Sequence, residues 1–152
     1  MELFTALISA LTLATYLVAM GFLYGVREYV SDNFYIGKHK WLFSVVMLVV
    51  AIYLLPAMVA KSEQGVISLL PLLAVWGLIT VAIAPHYKAN KMHAVGAFEA
   101  LICGVVWVAL FHPFIVLAAL VLWLLYKWAG FAKPYYIGEV TAFGLIYYTL
   151  LA

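Results

Sequence analysis

The chain reads as long apolar runs broken by glycine, proline and small groups of charge. No Asp, Glu, Lys or Arg falls within residues 3–26, 41–60, 64–87 or 100–126. Each run reaches or exceeds the roughly 20 residues that carry a helix across about 30 Å of hydrocarbon. Splitting the runs at their turn signals predicts six helices, over residues 3–24, 41–60, 65–84, 92–111, 113–128 and 134–151. The fourth and fifth part at His112-Pro113, because the residue before a proline is pushed out of the helical region. Pro113 and Pro134 take first-turn positions, where the missing N–H costs nothing. Pro56 and Pro71 fall inside the second and third helices and are expected to kink them.

Composition sharpens this reading. Of 152 residues, 69% are hydrophobic and 9% charged, against about half and about a quarter in an ordinary soluble domain. A secreted enzyme, a nucleic-acid binder and a disordered tail are thereby excluded. The net charge of +2, with no single-sign cluster, gives a polyanion no electrostatic footing. The expected class is all-α: a polytopic membrane protein forming one bundle of six transmembrane helices, with loops too short for a second domain. Met1-Glu2 leads straight into apolar sequence, without the basic start of a signal peptide, so the first segment reads as a permanent helix.

Charge position sets the orientation. Six spans put Arg27, Lys38, Lys40, Lys88, Lys91, Lys127 and Lys133 on one side and Lys61 alone on the other. Basic loops stay in the cytoplasm, so both termini are expected on the non-cytoplasmic side of a cell membrane, the bacterial inner membrane in the first place. Eleven of the fourteen charges then lie toward the cytoplasm, with Glu2, Lys61 and Glu63 opposite. Trp41, Tyr87, Trp128, Tyr135 and Tyr136 fall at the cytoplasmic ends, where aromatic rings settle among headgroups, and Tyr147-Tyr148 at the other face.

Two carboxylates stand inside predicted spans, which makes them candidates for function by default. Glu99 lies seven residues into the fourth helix and Glu139 five into the sixth, roughly 10 and 8 Å from the cytoplasmic face. His93 and Tyr135 are the residues expected to share a ligand or proton site with them. Gly96, Ala100 and Gly104 recur every four residues and form a small-residue stripe for close helix packing or self-association. Thr5, Ser9, Thr12 and Tyr16 make a hydroxyl row along the first helix, read either as bonding within the helix or as lining a hydrated path. The loop of residues 25–40 carries Arg27, Ser31, Asp32 and Tyr35 and suits the interface, with Ser31 or Asp32 capping a short helix. His39, His86 and His93 lack close ligand spacing, and no nucleophile motif is present. No metal, cofactor or catalytic residue is therefore assigned. Cys103 has no disulfide partner and reads as an inert thiol.

Ser31-Asp32-Asn33-Phe34-Tyr35, then Trp41-Leu42-Phe43, His93-Ala94-Val95-Gly96 and Glu139, resemble a group of small bacterial membrane proteins of unassigned activity. Their first loop reads roughly Ser-Ile-Ser-Asp-Ser-Phe-Tyr; here Tyr29 and Asn33 replace the first and third serines. The six-span layout is similar, more distantly, to the Frag1/DRAM/Sfk1 class. The resemblance implies a topology and no reaction. Three functions are carried forward: binding or translocation of a small molecule, cation or proton at a cytoplasm-facing polar pocket; a non-catalytic interaction or assembly role in the bilayer; and a metal-dependent enzyme acting on lipid headgroups.

Overall fold

Apolar runs of this length suit helices, in which the main-chain hydrogen bonds are made within the segment itself. The computed structural model describes residues 2–36, 38–62, 65–85 and 91–152. It is all-α: α1 (Glu2–Tyr24), a 3-10 turn (Val30–Asp32), α2 (Asn33–Ile36), α3 (Trp41–Lys61), a second 3-10 turn (Val66–Ser68), α4 (Leu69–Ile83), α5 (Lys91–Phe111), α6 (Pro113–Trp128) and α7 (Pro134–Leu151). Of these, α1, α3 and α5 are long and apolar enough to cross a membrane. With 16 residues, α6 runs about 24 Å, short of a full hydrocarbon layer.

Helix ends follow their sequence signals. Gly25 takes a left-handed φ of 76° and donates its N–H to the Gly21 carbonyl at 2.9 Å, closing α1. Arg27 Nη2 donates to the Tyr24 carbonyl at 2.7 Å, a cation on a carbonyl that α1 leaves unpaired. Pro56 lies inside α3 as expected. Pro71 lies in the first turn of its helix and not in the interior: α4 begins at Leu69, so the missing N–H breaks no helical bond and the expected kink has no cause.

Leu13, Tyr16, Met47, Val50, Leu54, Val75, Trp107 and Ile146 build the core. Buried Ser9 donates to the Val50 carbonyl at 3.0 Å and shares a 2.8 Å hydrogen bond with the Tyr147 hydroxyl, joining α1, α3 and α7. Thr5 bonds back to the Glu2 carbonyl at 2.9 Å, and Tyr16 packs beside Phe43. Of the row, Thr5 thus bonds within its own helix, and Ser9 and Tyr16 are buried. At one end of the bundle, the Trp107 indole N–H donates to Ser62 Oγ at 2.8 Å, which in turn donates to the Met58 carbonyl at 2.7 Å.

Helices α4 and α5 touch backbone to backbone. A Cβ on Gly77 would stand 2.5 Å from the Ala100 nitrogen and the Gly96 carbonyl oxygen, and one on Gly96 2.7 Å from Thr80 Cβ. Gly104 belongs to a different contact: its Cβ would meet Ile146 Cδ1 of α7 at 2.9 Å. The small-residue stripe therefore serves two neighbours, because a four-residue step drifts about 40° around a helix. By contrast α6 buries no residue at all, and large apolar side chains such as Phe22, Phe114 and Trp128 stand outward. An exterior this apolar marks a lipid or protein contact surface.

Candidate functional site

Three contacts fold the first loop onto the start of α7, and a fourth closes the loop on itself. The 3-10 turn at Val30–Asp32 opens with main-chain N–H groups that have no partner within the turn. Two carboxylates take them: Asp32 Oδ2 accepts from the Tyr29 N–H at 3.1 Å, and Glu139 Oε2 from the Val30 N–H at 2.7 Å. The rings of Tyr29 and Tyr135 stack with centroids 5.2 Å apart. Glu28 and Lys133 pair at 3.7 Å with half-exposed side chains, a contact worth little in stability. Lys133 itself precedes α7 in the left-handed region, at φ 60°.

Glu139 and Tyr135 lie four residues apart on one face of α7, which is why both reach the same loop. Lys127 Nζ stands 5.1 Å from the Tyr135 ring, extending the cluster onto α6. Burial, with Tyr135 and the nearby carboxylates adding to it, pushes the Tyr29 phenol up, so it stays a neutral hydroxyl at ordinary pH. Of the two capping candidates, Asp32 has the capping bond and Ser31 has none. Tyr35 packs edge-on against Phe34 at 5.3 Å, and Arg27 is engaged at the end of α1. Asn33 is buried, and its Nδ2 meets no acceptor among the described residues.

Other candidates lie apart from this cluster. His93 is buried with Nδ1 2.9 Å from the Ala84 carbonyl oxygen, fastening the start of α5 to the end of α4. Glu99 takes a direction set by its glycine neighbours: Gly96 meets α4 and Gly104 meets α7. At 100° per residue Glu99 points about 140° away from Gly104, so it does not face α7 or Glu139. No described residue forms an ion pair or hydrogen bond with Glu99. Among the described residues no three of His, Cys, Asp and Glu gather as a metal site. His86, Tyr87 and Lys88 lie outside the described residues; His112 stacks edge-on with Tyr148 at the opposite end.

Tyr136 corrects the expected aromatic belt: one residue from Tyr135, it turns inward and is buried, whereas Trp41 and Trp128 stand exposed. The Val30 amide escaped sequence reading because a main-chain donor has no side-chain signature. Gly77 had one, a glycine in mid-run, yet its neighbour is set by tertiary approach alone. Comparison with protein-family models, with curated proteins and with solved structures returns no match.

Proposed function

We propose that the chain is a multi-pass integral membrane protein that binds and translocates a proton or small cation at Glu139, beneath its first loop. One observation carries the reading. The Glu139 carboxylate, set five residues into α7, is met by a main-chain N–H and by no Lys, Arg or His among the described residues. A charged carboxylate withdrawn from water into a membrane span carries a desolvation cost. A proton, or a cation held by the second carboxylate oxygen, removes that cost; a paired lysine would have made the group purely structural.

Six membrane-spanning helices with both termini outside are part of the same proposal. With six spans, Arg27, Lys38, Lys40, Lys91, Lys127 and Lys133 fall at helix ends on one side and Lys61 on the other, the asymmetry expected of a cytoplasmic side. Tyr135 belongs to the site with Glu139; Glu99 and His93 do not, on direction and partner.

The test is proton and potassium flux into proteoliposomes. Wild type is expected above protein-free vesicles, Glu139→Gln at their level, and Glu99→Gln close to wild type. Wild-type flux equal to that of protein-free vesicles, or unchanged flux in Glu139→Gln, overturns the proposal.

A further inference from the structure

Between α6 and α7 runs an open apolar crevice of about 240 Å³, lined by Ala119, Leu122, Trp123, Tyr126, Ile137 and Thr141. Its depth along α6, from Tyr126 to Ala119, is about 10 Å at 1.5 Å per residue. The crevice walls are fixed: Trp123 Nε1 donates to the Pro134 carbonyl at 2.7 Å, and Gly138 lets the indole lie against α7, since a Cβ there would stand 2.8 Å from that nitrogen. At the mouth, the Tyr126 hydroxyl donates to the Ala132 carbonyl at 2.7 Å, and its ring stacks on Phe131.

A cation borders the same mouth. Lys127 Nζ lies 5.4 Å from the Trp123 ring and 5.1 Å from the Tyr135 ring. Among the described residues no carboxylate pairs with it, because Glu28 is taken by Lys133. Trp128 and Phe131 beside it are exposed, which is where aromatic side chains meet headgroups. An apolar slot that ends under an unneutralised ammonium matches one class of molecule in both parts.

We infer that this crevice holds an acyl chain of an anionic glycerophospholipid whose phosphate is bound by Lys127. The inference rests on the membrane placement proposed above and is independent of any role for Glu139. Ammonium and phosphate attract at the headgroup layer, and the chain fills the slot between α6 and α7. The chain would also cover part of α6, which buries no residue of its own.

Native mass spectrometry of the full chain in a mild non-ionic detergent tests this, with palmitoyl-oleoyl phosphatidylglycerol or phosphatidylcholine added. One phosphatidylglycerol is expected to be retained roughly fivefold more strongly than phosphatidylcholine, the preference a single lysine near the surface provides. Lys127→Gln should abolish that preference and Lys127→Arg keep it, while Thr141→Trp, which fills the slot, should lose both lipids. Equal retention of the two lipids by wild type overturns the inference. So does an unchanged preference in Lys127→Gln, or one that disappears with Lys40→Gln instead. Because the readout is bound lipid, a failed flux experiment on Glu139 leaves it standing, and the reverse also holds.

Discussion

Glu139 accepts the main-chain N–H of Val30 at 2.7 Å across 109 residues of sequence. The bond ties the first loop to the last helix, and its loss leaves a buried donor without an acceptor. Glu139→Ala should therefore destabilise the protein by about 1–3 kcal/mol. Glu139→Gln, which keeps an oxygen in place, should cost less. Thermal unfolding in detergent measures the stability. Labelling of Ser31→Cys in a Cys103→Ser background measures the loop: faster labelling in Glu139→Ala than in the Glu139 parent is expected. Equal labelling would show that the contact does not hold the loop down.

Backbone contact between α4 and α5 gives a prediction of opposite sign to helix propensity. In an open helix, glycine to alanine is favourable by about 0.5–1 kcal/mol. At Gly77 the new Cβ would meet the Ala100 nitrogen and the Gly96 oxygen at 2.5 Å, main-chain atoms that cannot turn aside. Gly77→Ala should force the two helices apart and lower the melting temperature, or abolish folded protein. Gly21→Ala, with no atom within 4 Å of its Cβ, is the control and should be neutral or stabilising. Similar melting temperatures for the two variants would contradict the close approach.

The helix positions were legible in the sequence because hydrophobic run length, proline and glycine are local signals. The break at His112-Pro113 is one example: α5 ends at Phe111 and α6 starts at Pro113. Pro71 was misplaced by the same logic, since the sequence does not mark where a run changes from a 3-10 turn to an α-helix. Within the candidate site, Glu139 and Tyr135 could be read as neighbours from their i, i+4 spacing. Their partners Val30 and Tyr29 could not, because loop docking depends on long-range packing. For Glu99, sequence gives depth and the angle from Gly96, but which helix it faces requires knowing that Gly104, and not Gly96, meets α7.

Ser9 and Tyr147 form a hydrogen bond at 2.8 Å within a packed junction of three helices. Ser9 also donates to the Val50 carbonyl, so it serves two partners, whereas Tyr147 has only Ser9 among the described residues. Ser9→Ala should thus cost more than Tyr147→Phe. A double-mutant cycle should give a coupling of about 0.6 kcal/mol, the usual size for side-chain bonds between membrane helices. A coupling near zero would mean that the hydroxyls meet without contributing.

At the other end of the bundle, the Trp107 indole is fully buried and its N–H has one acceptor, Ser62 Oγ at 2.8 Å. Ser62→Ala keeps the side-chain volume nearly unchanged but strands that N–H, which should cost about 1–3 kcal/mol. Ser62→Thr retains the hydroxyl and should stay closer to wild type. The decisive comparison is Ser62→Ala made in a Trp107→Phe background. Phenylalanine has no donor to strand, so the serine substitution should there cost clearly less than in the wild-type protein. Trp107→Phe itself will be destabilising, since it leaves a cavity beside Phe111, whose ring packs edge-on at 5.2 Å. That cost appears in both arms of the comparison and cancels. If Ser62→Ala is equally damaging with and without the indole, the serine acts only through its bond to the Met58 carbonyl at the end of α3, and the link from α3 to α5 is made by packing alone.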